Sequence, residues 1–268
     1  MNFMREISRE ELKEIQIGIL DVFAAFCEKH GLHYWLDTGT LLGAIRHKGY
    51  IPWDDDIDVG MLREDYDKCI TLFNAHQDRY QLRCIENNKD YSYPFAKILD
   101  TKTVLYEPNR KGNKIAVYID VFVYDNAPDD EHLVQKMFRK RDFWNQMEYL
   151  RLPYNNKNTG IKKVIGDIYR IVPRMFPRWY FSHKIIQNSK KYASVPTKRV
   201  GNFTSISKVV GNIDIFADFI DVEFEGKKYK APVGYDEWLS AFYKNYMELP
   251  PVEKRVPHHQ FEAYWLEE

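Results

Sequence analysis

The sequence predicts an α+β fold, a mixed β-sheet core flanked by helices and carrying a basic helical insertion. Three observations carry that expectation. A capped amphipathic run spans residues 8–30, and a branched and aromatic run fills Lys114–Tyr124. Between Lys162 and Arg199, ten cations interleave with aromatic and aliphatic residues against a single acid, Asp167. We expect one domain over 1–268, with a core over 1–150, a basic aromatic helical insert over 151–205 and a C-terminal segment over 206–268 that completes the core.

In chain order, Ser8 with Glu11 three residues on forms a capping box. Leu12, Ile15, Ile19, Val22, Phe23 and Phe26 then keep helical spacing until Gly31. His33–Asp37 reads as a short strand, Thr38-Gly39-Thr40 as a small-residue turn and Leu41–Arg46 as a helix. That layout lets backbone N–H groups approach an anion at the helix start. Arg46, His47 and Lys48 suit the negative end of the same helix, and Arg46 and Lys48 are also candidates to reach a phosphate. Residues 63–78 resume helical spacing. Tyr80–Ile85, Phe95–Leu99 and Thr103–Tyr106 read as short strands before the long β-like run, and 130–150 is helical again. Ile213–Glu225 is strand-like, Gly226 turns the chain into Lys227–Ala231, and Trp238 and Phe242 sit at helical spacing within Tyr235–Tyr246.

Bulk properties exclude several classes. At 268 residues and 44% hydrophobic content the chain can bury a full core. Lys+Arg and Asp+Glu balance at 39 each, so net charge names no partner. Cys27, Cys69 and Cys84 have no CxxC or paired-His spacing, which excludes a disulfide framework and a zinc site. The N-terminus lacks an apolar leader core, and no run reaches the ~18 apolar residues of a membrane span. A reducing cytoplasm is the expected compartment. Within 162–199, cations mixed with Trp, Tyr and Phe suit peripheral contact with an anionic membrane surface or an anionic glycan. A solvated insert and a nucleic-acid surface are the other readings of that mixture.

The chemistry is concentrated in Asp54-Asp55-Asp56-Ile57-Asp58. Four acids in five positions repel one another unless solvated or neutralised, and a hard divalent cation would neutralise them. A solvated acidic turn is the plain alternative. An EF-hand loop fails, because Val59 stands where its sharp turn needs glycine and Asp65 where a glutamate is expected. Read as a strand, the run puts Asp56 and Asp58 on one face, with Ile57 and Val59 on the other. Asp120, in the middle of the most β-like run, is a third acid that a neighbouring strand would bring to them.

Taken together, these pieces resemble the nucleotidyltransferase superfamily, and within it the LicD family. The resemblance rests on Tyr34–Gly49, Ile51–Gly60, Tyr93–Lys97, Tyr118–Phe122 and Lys254–His259. Two departures stand out: Thr38 where relatives often carry glycine, and Lys244-Asn245 in place of a common Gly-Asp pair. The resemblance implies a nucleotidyltransferase-like core and an enzyme that moves a phospho-alcohol from a CDP-linked donor, CDP-choline above all, onto a glycan or lipid-linked glycan such as lipopolysaccharide or teichoic acid, releasing CMP. CDP-ribitol transfer, nucleotidyl transfer with release of pyrophosphate, and an inactive membrane-docked module are the alternatives; nucleic acid is not an expected partner. On this reading Asp54, Asp56, Asp58 and Asp120 hold Mg²⁺ or Mn²⁺, and Asp56, Asp58 and Asp120 are catalytic, Asp120 as base or second-ion ligand. Thr38, Gly39 and Thr40 cradle donor phosphate, Arg46 and Lys48 offset its charge, and Arg255, His258 and His259 contact substrate.

Overall fold

A computed structural model describes residues 4–106, 114–152, 161–256 and 261–266, with side chains from 166 onward in the third stretch. In chain order the elements are β1 (Arg5–Glu6), α1 (Arg9–His30), β2 (Trp35–Leu36), α2 (Thr38–His47), β3 (Asp58–Leu62), α3 (Arg63–Leu72), β4 (Tyr80–Arg83), β5 (Ala96–Tyr106) and β6 (Lys114–Asn126). They continue with α4 (Glu131–Arg151), α5 (Ile161–Arg174), α6 (Tyr180–Ser189), β7 (Arg199–Gly201), β8 (Val210–Asn212), β9 (Phe219–Phe224), β10 (Lys227–Pro232), α7 (Tyr235–Tyr243) and β11 (Glu262–Trp265).

The expected mixed sheet forms. Its strand order is β1-β11-β5-β6-β3-β2, with β4 on β5 and the β7–β8 pair on the end of β6. Pairing is antiparallel except between β3 and β6, which run parallel and bring Asp58 opposite Asp120. α1 starts at the predicted capping box, ends at Gly31 in the left-handed conformation, and buries Leu12, Ile15, Ile19, Phe23 and Phe26.

Several boundaries differ from the sequence expectation, each for a local reason. The two strands expected over Phe95–Leu99 and Thr103–Tyr106 are one strand with an irregularity between Asp100 and Leu105. There the Thr103 hydroxyl donates to Asp100 O at 2.8 Å and accepts from Val117 N at 2.8 Å, keeping buried backbone groups paired through the break. The strand expected over Ile213–Glu225 begins only at Phe219. The Asn212 side chain accepts from Asp214 N and caps a short 3₁₀ turn over Ile213–Phe216 instead. Glu225 and Gly226 both take positive φ, the backbone of a tight hairpin turn, and link β9 to β10. β7 lies within the stretch read as an insert, yet pairs with Asp125 and Asn126 of β6. α6 is also drawn inward, burying Phe181, Ile185 and Ile186.

Candidate active site

The site grows from the parallel β3–β6 pair. Asp120 N donates to Ile57 O at 2.9 Å, extending the ladder one residue beyond β3. Ile57 and Val59 are fully buried, while Asp56 and Asp58 line a cleft together with Asp120. The alternation read from the sequence therefore sends the apolar pair into the core and the acids into the cleft. The cleft has a volume of about 1600 Å³. Trp53, Tyr93, Phe95, Phe122 and Tyr243 supply aromatic walls, and residues from α4 and from Thr204–Ser207 close the far side.

The turn into α2 fixes Asp58. Asp37 N donates to Asp58 O at 2.9 Å, and the chain then bends at Thr38, whose φ of 43° is unusual for a β-branched residue. The Thr38 hydroxyl donates to Asp58 Oδ2, and Thr40 Oγ1 accepts from Asp58 N at 2.9 Å. Both threonine hydroxyls thus hold the acid. Gly39 is needed for close approach, since a Cβ there would stand 2.7 Å from Asp54 Oδ2. Under the turn, buried Asp37 accepts from Tyr124 Oη at 2.5 Å and Trp238 Nε1 at 3.1 Å. Burial nevertheless pushes its carboxyl above the usual range.

Carboxylate oxygens of Asp54, Asp55 and Asp56 lie within 4.8 Å of one another, in a loop that Arg9 braces by donating to Asp54 O at 3.2 Å. An all-oxygen, multiply anionic set of this kind fits a hard divalent cation. Next to this cluster, burial, then the negative charges of Asp56 and Asp120, hold the Asp58 carboxyl well above its ordinary range. Opposite them, Lys97 is 2% exposed and places Nζ 2.5 Å from Asp120 Oδ1. Its ammonium lies 3.5 Å from the Tyr118 ring centroid and 4.6 Å from that of Tyr93.

The cleft brings together Thr38, Gly39, Arg46, Asp54, Asp56, Asp58 and Asp120 among the expected site residues. Thr40 is buried behind the turn, outside the cleft lining. Lys48 is exposed at the opposite end of α2, where its left-handed backbone caps the helix. Arg46 is a clamp, donating to Tyr246 O at 2.7 Å and Glu248 O at 3.1 Å. Arg255 donates to Pro250 O at 2.8 Å and lies over the Trp53 ring at the cleft edge. His258 and His259 fall outside the described residues.

Sequence reasoning did not single out Asp37, Asp55, Lys97 or Tyr243. Strand alternation directed attention away from Asp55, although the density of the acid run included it. Lys97 carried a signal, as a lysine in the otherwise apolar run Phe95–Leu99. Tyr243 had none: it reaches the cleft lining from the end of α7, a relation only the fold creates.

The LicD/FKTN/FKRP nucleotidyltransferase domain matches residues 31–160. The chain is 31% identical over 273 residues to the lipopolysaccharide cholinephosphotransferase LicD of Haemophilus influenzae, covering 98% of this chain and 100% of that protein. It is 50% identical over 48 residues to human ribitol 5-phosphate transferase FKRP, covering 18% of this chain and 10% of FKRP. It is 29% identical over 121 residues to human ribitol-5-phosphate transferase FKTN, covering 45% and 22%.

Proposed function

The chain belongs to the LicD family of phosphotransferases, and from that premise we propose that it transfers phosphocholine from CDP-choline to a hydroxyl of a cell-surface glycan and releases CMP. One observation carries the reading: Asp56 and Asp58 converge with Asp120 in a single roomy cleft, in a chain similar along its whole length to a lipopolysaccharide cholinephosphotransferase.

The acceptor oxygen attacks the phosphorus that bears choline, the bond from that phosphorus to the CMP oxygen breaks, and CMP leaves with the electron pair. Gly39 lets the Asp54 carboxylate close on the start of α2, where the backbone N–H groups would face the donor phosphates. Asp120, paired with Lys97, takes the acceptor proton or adds a ligand to the acid cluster. Asp54, Asp56, Asp58 and Asp120 would hold Mg²⁺, with Mn²⁺ as substitute, and the bound ion would supply neutralisation of phosphate charge. Trp53, Tyr93, Phe95 and Phe122 offer π faces for a quaternary ammonium. The three cysteines are free and buried, which suits a reducing cytoplasm.

The test is product analysis. Protein, Mg²⁺, CDP-choline and lipopolysaccharide or teichoic acid should yield CMP and choline-bearing glycan, and Asp56→Asn and Asp120→Asn should abolish both. Preferential turnover of CDP-ribitol would overturn the choline assignment. Release of pyrophosphate from a nucleoside triphosphate would overturn the reaction class.

A further inference from the structure

Helix α5 is docked with its polarity reversed. The face that meets the protein carries Arg170 and Pro173, both buried, and Arg170 Nη1 donates to Leu152 O at 3.0 Å beyond the end of α4. The apolar residues at i, i+3, i+4 and i+7 face solvent: Ile168 is 57% exposed, Ile171 57%, Val172 61% and, one residue past the helix end, Met175 78%. A helix at the surface of a globular protein ordinarily turns such a stripe inward. Four neighbouring apolar side chains held outward need a cover.

The surrounding charges say what the cover is. Arg174 is exposed next to Met175 in the chain, Lys162 and Lys163 occupy the first turn of the helix in sequence, and Asp167 is the one acid between 162 and 199. Two copies meeting stripe to stripe in a two-fold contact would bring these cations against each other. Anionic lipid headgroups would pair with them while the acyl boundary takes the apolar side chains. Tyr169, 69% exposed, flanks the stripe as interfacial aromatics do. The helix packs on α4, which supplies Asn145, Glu148 and Tyr149 to the cleft wall, so stripe and cleft share one support.

We propose that α5 lies in the headgroup layer of an anionic bilayer, with Ile168, Ile171, Val172 and Met175 inserted, and that it holds the cleft against the membrane so that the acceptor is a lipid-anchored glycan. The choice of acceptor rests on the proposed phosphocholine transfer; the docking does not. Flotation of the full chain with vesicles of phosphatidylcholine plus phosphatidylglycerol, against phosphatidylcholine alone, tests it at low and high salt. The wild type should float with the anionic vesicles only and be released by salt. Ile168→Asp combined with Val172→Asp should cut binding at least about tenfold, because carboxylates are driven from the interface. Arg174→Glu should weaken it, and both variants should keep wild-type CMP release with a soluble acceptor fragment. No flotation at low salt, or equal flotation of the double variant, overturns the proposal. So does a wild-type dimer in light scattering that the double variant dissolves while vesicles are ignored, which would make a second copy the occupant. Flotation is read without turnover, so failure of choline transfer alone counts against the reaction and leaves the docking standing.

Discussion

Lys97 Nζ and Asp120 Oδ1 lie 2.5 Å apart, joined by residues that face each other across β5 and β6. The lysine is sealed under Tyr93 and Tyr118, so its charge acts on Asp120 with little screening. Removing one partner of a buried pair leaves the other uncompensated, at a cost of about 3–5 kcal/mol. Lys97→Met should therefore lower the urea midpoint sharply and reduce CMP release at least about tenfold. Lys97→Met with Asp120→Asn should recover much of the stability and none of the activity. An unchanged midpoint in the single variant would show that the pair carries no structural weight.

Gly39→Ala separates function from folding. Gly39 lies in the first turn of α2 and does not have positive φ, so alanine gains about 1 kcal/mol of helix propensity there. Its new methyl group, however, would sit 2.7 Å from Asp54 Oδ2 and force that carboxylate aside. Thermal stability should hold or rise slightly while turnover drops. Loss of both together would mean that the turn, rather than Asp54, had given way.

Thr38 trades backbone strain for a hydrogen bond. Its φ of 43° costs about 1–2 kcal/mol for a side-chain-bearing residue, and its hydroxyl donates to Asp58. A hydrogen bond of this kind contributes about 0.5–1.5 kcal/mol. Thr38→Gly should leave the melting temperature nearly unchanged, because the two effects offset. Thr38→Val keeps the strain and loses the bond, so it should be clearly less stable. Both should slow turnover, which steady-state assays on the two variants would check. Equal melting temperatures for the two variants would remove the strain argument.

Much of this was legible from local pattern. The Ser8 capping box, the alternation from Asp56 to Val59 and the β-character around Asp120 each depend on residues a few positions apart, and the sequence displays them directly. What stayed hidden depends on register between distant strands. The Lys97–Asp120 pair exists because β5 aligns with β6, and the roof over Asp37 needs Tyr124 and Trp238 from separate elements. Hydroxyl roles were hidden too: Thr38 and Thr40 read as phosphate ligands in a small-residue turn, yet both bond Asp58. Helix α5 shows the reverse limit. Its composition suggested an interface, but only the fold reveals that the apolar stripe, rather than the arginine face, points outward.

The acids also predict an unusual pH response. Burial raises the Asp37 carboxyl, and burial with the charges of Asp56 and Asp120 raises that of Asp58. Unfolded aspartates titrate near ~3.9, so above that pH the folded chain holds protons that the unfolded chain has released. The contribution of these two groups is fully present at low pH and is lost as pH climbs through their raised folded values. Other carboxylates, such as Glu11 and Asp142, are shifted down and contribute the opposite slope. A difference measurement isolates the effect. Asp37→Asn should gain on wild type as pH rises from 4 toward 7 in metal-free buffer, read as urea midpoints; parallel curves would remove Asp37 from the account. For Asp58 the relief should come from Mg²⁺. An ion that binds only the folded state at a hundred times its dissociation constant adds about 2.7 kcal/mol. The melting temperature at neutral pH should therefore rise with Mg²⁺ in wild type and stay flat in Asp56→Asn with Asp58→Asn. Chelation should reverse the rise.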